Sequence, residues 1–256
     1  MSLKSQMTET CSEPQQIYVR ASSVRDYEGF CPVVLREGYF NDSGTFVDCY
    51  EFQPVDIIPN PGFLVILLGS VERDSTLEFA AKAVHSSIQS LFVDCGGIPV
   101  DLEQIRTFAE LKASINKFRN LYSHIVIVGH GSTQGIGFLD RDHPVAGSDL
   151  ADVFKCFEGC EPLQIISLCC HSGADSIAGG LSKATNVAEV IAPHAAFHLQ
   201  WAVHFVTGYL LDFFLNGANV DDAVKNSARS ASRTPMCVWR NGNLSCKCAD
   251  TVESAP

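Results

Sequence analysis

The sequence predicts an α/β fold, an open and mainly parallel sheet with helices on both faces. Two observations carry that expectation. Short continuous apolar runs recur, among them Phe63-Leu64-Val65-Ile66-Leu67-Leu68, His124-Ile125-Val126-Ile127-Val128 and Ile165-Ile166-Ser167-Leu168. They lack the alternation of a half-solvated strand and fit strands buried on both faces. Amphipathic stretches at helical spacing separate them.

Residues 1–60 form an N-terminal extension, partly irregular or β, with short β-prone runs such as Thr45-Phe46-Val47. The breaker Ile58-Pro59-Asn60-Pro61-Gly62 opens the main domain, read as 61–234. Phe63 to Leu68 is its first strand. Ser75-Thr76-Leu77-Glu78 has the form of a capping box, in which the serine and the glutamate each satisfy a free backbone N–H. The helix it opens aligns Leu77, Ala81, Val84 and Ile88 on one face. Gly97 to Asp101 reads as a weaker strand. Thr107-Phe108-Ala109-Glu110 is a second capping box, followed by Leu111, Ile115 and Phe118 at helical spacing. His124 to Val128 is the next buried strand, and Ser148 to Phe157 a short helix. Ile165 to Cys170 reads as a strand, Ala174 to Ala184 as a helix and Val187 to Ile191 as a strand. Phe197, Trp201, Phe205 and Leu215 stripe a long helix. Val220 to Ala231 is the last one, capped by Asn219. Residues 235–256 form a cysteine-containing tail with a hairpin turn at Arg240-Asn241-Gly242-Asn243.

Composition narrows the function classes. Eighteen Lys and Arg against 29 Asp and Glu give the 256 residues a net charge of -11. That balance argues against nucleic-acid binding, which draws on a basic patch. The longest apolar stretch, Ala195 to Leu215, contains His198, Gln200, His204 and Asp212, so a buried helix is expected and not a membrane span. Met1 to Pro14 lacks the apolar core of a secretory signal. The eleven cysteines are therefore expected to be reduced, and the chain cytoplasmic.

In a parallel sheet, ligands bind beyond the carboxyl ends of the strands. Two strands end there in reactive side chains: Val128-Gly129-His130-Gly131-Ser132 and Ser167-Leu168-Cys169-Cys170-His171-Ser172-Gly173. If the strands are neighbours, His130 and Cys170 share one rim, a strand spacing apart. An imidazole there takes the thiol proton or stabilises the thiolate. A helix starting soon after Cys170 would add its N-terminal dipole. The backbone N–H groups of Gly131 and Cys170 would face an oxyanion on an acyl substrate. The bland alternative makes Cys170 a small apolar filler at a strand end. Cys169 alternates to the opposite sheet face. His171 shapes the rim, and His124, His143, His194, His198 and His204 are structural or surface residues. Cys237, Cys246 and Cys248 lack the C-x-x-C pair of a zinc site, and nothing links Cys156 and Cys160 to them, so no metal is expected. No G-x-S-x-G, Walker or G-x-G-x-x-G motif occurs.

The His130-Gly131 and Cys169-Cys170 strand ends resemble those of clan CD cysteine peptidases. Cys170-His171-Ser172-Gly173 is similar to the Cys-His-Ser-Gly of metacaspases. Downstream, Val190-Ile191-Ala192-Pro193, the stripe from Phe197 to Leu215, and Asn216 to Ala223 resemble the CHAT branch of that clan. The resemblance spans roughly residues 62–232. It implies a caspase-like three-layer sandwich and an Arg73 near the place of an S1-lining arginine. The bland reading of Arg73 is an exposed loop residue beside Asp74. Leu168 stands where metacaspases carry an aspartate, which removes that route to Arg/Lys specificity. Only Thr185-Asn186 separates helix from strand where caspases carry a cleavable linker, so no two-chain maturation is expected there. Residues 1 to about 60 are too short and irregular for the helical repeats attached to many CHAT domains, so none are expected there.

The expected activity is that of a caspase-like cysteine endopeptidase acting through His130 and Cys170, without a cofactor, on a protein or peptide substrate. Neither nucleic acid nor a membrane is an expected partner; a regulatory protein is. The alternatives are a catalytically inactive caspase-like module that binds proteins, and an enzyme that transfers small acyl groups through the same pair.

Overall fold

The computed structural model describes residues 30–40 and 46–54 as backbone, and 62–69, 75–92, 98–118, 122–155, 162–231 and 234–248. The chain divides into two compact units, Met1–Ile57 and Ile58–Pro256. In the first, β1 (Phe30–Phe40) pairs antiparallel with β2 (Phe46–Pro54).

The second unit runs β3 (Phe63–Leu68), α1 (Ser75–Leu91), β4 (Val100–Ile105), α2 (Phe108–Phe118), β5 (His124–Val128), the short β6 (Gly131–Ser132) and β7 (Gly135–Ile136), α3 (Gly147–Phe154), β8 (Leu163–Ser167), β9 (Val187–Pro193), α4 (Ala202–Leu210), α5 (Val220–Ala231), β10 (Met236–Arg240) and β11 (Asn243–Cys248). Seven strands form one sheet in the order β11-β10-β9-β8-β5-β3-β4. The five from β9 to β4 are parallel, and β10 and β11 add an antiparallel edge hairpin. The turn expected at Arg240–Asn243 is the turn of this hairpin.

Every residue of β3, β5 and β8 is buried, as continuous apolar runs require. Alternate side chains serve opposite faces. Leu64, Ile66, Ile125, Ile127 and Ile165 join Phe108, Leu111 and Ile115 of α2 and Leu150 and Phe154 of α3 in one core. On the other face α1 lies against β3, β4 and β5, α4 against α1, and α5 against α4 and β10. The predicted stripe Leu77, Ala81, Val84, Ile88 is the buried side of α1.

The second capping box forms in full. Thr107 Oγ1 accepts the Glu110 N–H at 3.0 Å, and Glu110 Oε2 accepts the Thr107 N–H at 3.2 Å. Asn219 Oδ1 likewise accepts the Asp222 N–H at 3.0 Å and caps α5.

Several boundaries differ from the sequence reading. The weak strand lies at Val100–Ile105, not Gly97–Asp101, because β3 pairs Phe63 with Val100 through Leu68 with Ile105. The helix read as Ala174–Ala184 is a five-residue π-helical turn, Asp175–Gly179, that ends within a few residues. It packs so tightly on α3 that a Cβ on Gly147 would overlap the Ile177 carbonyl. The long helix is a 3-10 turn (Leu199–Trp201), then α4, then a π-helical turn (Leu211–Leu215).

His124 is buried, where surface exposure was one expectation. Its ring lies among Phe63, Phe213 and Phe214. Nδ1 shares a hydrogen bond with Ser123 Oγ at 2.8 Å, while Nε2 has no partner. Burial lowers its pKa to about 3 from an ordinary 6.5. Below pH 6.5 the unfolded chain binds a proton there that the folded chain refuses, so stability falls as pH falls. The slope is about 1.4 kcal/mol per pH unit, or roughly 2 kcal/mol between pH 6.5 and 5. Urea unfolding at pH 7 and 5 tests this. H124L should lose about that much less than the wild type, and parallel pH profiles would refute it.

Candidate active site

β5 and β8 are parallel neighbours. His124 pairs with Gln164 and Ile127 with Ser167. The two strands end in step, and the loops that leave them carry His130 and Cys170. The two tips are in close contact, for a Cβ on Gly131 would lie 2.5 Å from the Cys170 carbonyl oxygen and 3.0 Å from the Cys169 Cβ. His130 is exposed on the rim and Cys170 half-buried beside it.

The chain leaves β8 at Ser167, earlier than the expected Cys170, because serine side chains turn it. Ser167 Oγ accepts the Cys169 N–H at 3.4 Å and shares a hydrogen bond with Ser172 Oγ at 2.8 Å. Ser172 Oγ also reaches the Cys169 carbonyl at 2.7 Å. His171 adopts a left-handed φ of 58°. For a residue with a Cβ this stores about 1–3 kcal/mol, which the surrounding bonds must hold. Its N–H donates to Ala195 O at 2.9 Å, and the Gly173 N–H to Pro193 O at 2.8 Å. Gly173 has no room for a side chain, since a Cβ would stand 2.9 Å from the Ala192 and Pro193 carbonyls. The Trp239 indole N–H donates to the Gly173 carbonyl at 3.0 Å. Ser176 Oγ donates to Thr133 O at 2.9 Å and joins the cysteine turn to the histidine loop.

Cys170 Sγ is held by the backbone of Phe197. The Phe197 N–H donates to it at 3.3 Å, and the thiol donates to the Phe197 carbonyl at 3.7 Å. The expected helix does not open at Cys170, since the π-helical turn begins only at Asp175, and the Phe197 backbone holds the sulfur instead. Nothing in the local sequence marks Phe197 for it, since the contact is made by backbone atoms 27 residues away. Among the described residues no acceptor takes the Cys170 N–H.

Cys169 is fully buried, and that burial pushes its thiol up to about 12. It belongs to the core beneath α2 and α3. His143, His194, His198 and His204 are exposed. Arg73, Cys156 and Cys160 lie outside the described residues. Among the described residues no group of three or more His, Cys, Asp or Glu side chains is arranged to hold a metal ion, and no helix is long and apolar enough to cross a membrane.

A family model described as a domain of unknown function, DUF8616, matches residues 100–207, which include His130 and Cys170. No curated protein matches the chain. Among solved structures, the secreted C11 cysteine protease "iotapain" of Bacteroides thetaiotaomicron is similar at 11% identity and a TM-score of 0.44, over 71% of this chain and 66% of that one. An inactive zymogen C11 protease of Parabacteroides distasonis is similar at 12% identity and a TM-score of 0.47, over 72% and 64%. The chain thus matches just under two thirds of the length of each.

Proposed function

We propose that this chain is a caspase-like cysteine endopeptidase with His130 as general base and Cys170 as nucleophile. The observation that supports the reading is the parallel pairing of β5 with β8, with Gly131 packed against the Cys170 carbonyl where the two strands end. In the proposed reaction His130 takes the thiol proton and Cys170 Sγ attacks a peptide carbonyl carbon. The carbonyl oxygen gains the negative charge and meets the Cys170 and Gly131 N–H groups. The tetrahedral species collapses, the C–N bond breaks and the amine leaves with the proton from His130. Water then attacks the thioester and releases the acid product and the thiol. No cofactor enters this chemistry. We also propose a protein or peptide substrate, a regulatory protein partner and a cytoplasmic setting.

The test is a peptide library together with chloromethyl ketone and epoxide probes carrying varied P1 side chains. Turnover of at least one peptide pool and covalent labelling at Cys170 are the expected results. Labelling at no residue across all probes would favour a protein-binding module. Labelling without peptide turnover would favour transfer of small acyl groups.

A further inference from the structure

On the edge strand β11, far along the sheet from Cys170, Cys246 Sγ and Cys248 Sγ lie 3.4 Å apart. Both are free and half-buried. They alternate with exposed Lys247 and so share one sheet face, opposite Val238 and Met236. Ser245 is the extra residue of a bulge between the Val238–Cys246 and Trp239–Leu244 pairs, so the strand bends beside the first cysteine. Cys237 does not complete the group. It pairs with Lys247, points to the other face and is buried in the core.

A metal fits this pair poorly. Zinc at about 2.3 Å per sulfur would hold two thiolates roughly 3.8 Å apart and needs two more ligands. No third ligand stands among the described residues. Two sulfurs in van der Waals contact suit a different chemistry. We propose that Cys246 and Cys248 form a redox-active dithiol that closes to a disulfide within the strand by exchange with a low-molecular-weight disulfide such as glutathione disulfide.

Burial and the hydrogen bond shared with Cys246 push the Cys248 thiol up to about 12. Cys248 thus keeps its proton and supports Cys246 as the attacking sulfur. The Cys246 thiolate attacks one sulfur of the donor, breaks its S–S bond and releases one thiolate. Cys248 then loses its proton and attacks the Cys246 sulfur, and the second thiolate leaves. Two electrons pass from the cysteines to the donor, and the two protons end on the released thiols. Two residues of strand span about 6.4–6.8 Å between Cα atoms, at the outer edge of disulfide geometry. The bond is therefore strained and easily reduced, as reversible disulfides are.

The test equilibrates the full chain in mixtures of reduced and oxidised glutathione, traps free thiols with N-ethylmaleimide and maps the peptides released by a protease that cuts only after arginine. The segment after Arg240 should become lighter by two hydrogens in oxidising mixtures, take up no maleimide at either cysteine and recover with dithiothreitol. C248S should hold a lasting glutathione adduct on Cys246. Full maleimide labelling of both cysteines in the oxidising mixture would overturn the proposal. So would stable glutathione adducts on the wild-type pair, or a disulfide from either to Cys237. None of these outcomes depends on the peptidase reading.

Discussion

C170A is expected to remove covalent labelling by electrophilic peptide probes and to lower peptide hydrolysis by roughly a thousandfold or more, the scale on which loss of a nucleophile acts. The reason is chemical. No other described thiol combines a place at this rim with access to solvent. The adjacent Cys169 is fully buried and its thiol stays protonated, pushed up to about 12. C169A should therefore label as fast as the wild type. The contrast between two neighbouring cysteines separates loss of chemistry from loss of fold. Intact-mass measurement after probe treatment reads both variants. Unchanged labelling of C170A would remove this residue from the mechanism, whatever the fold.

The second large effect is expected at a residue that brings no functional group. G131A puts a Cβ 2.5 Å from the Cys170 carbonyl oxygen and 3.0 Å from the Cys169 Cβ. Neither neighbour is a flexible side-chain end, so the backbone has to move and the two tips separate. Overpacking of this kind costs about 1–3 kcal/mol. A displacement near 1 Å at reacting groups costs on the order of a hundredfold in rate. G137A is the control, since a Cβ there meets nothing within 4 Å. Labelling rates and melting temperatures should put G131A well below the wild type and G137A beside it. If the two variants label alike, the closeness of the strand tips has no bearing on reactivity.

The sheet was legible because its central strands are written as unbroken apolar runs. Strands covered on both faces leave no room for alternation, so β3, β5 and β8 stand out. The Thr107 and Asn219 caps were legible because a cap is a local bargain among four residues. The closeness of the two strand tips, Gly131 against Cys170, followed from neighbouring parallel strands that end in step. What escaped depends on distant partners. Phe197 meets Cys170 through its backbone, which leaves no side-chain signature. The rings around His124 include Phe213 and Phe214, far along the chain. The π-helical turn after the cysteine depends on its contact with α3 at Gly147 and Gly180, which helical periodicity does not register.

The indole of Trp239 reaches back 66 residues to the Gly173 carbonyl. A side chain of the antiparallel edge hairpin therefore braces the bend at Cys170. A nascent chain carries Cys170 long before it carries the side chain that buttresses that bend. The bend therefore gains this buttress only once β10 has been made.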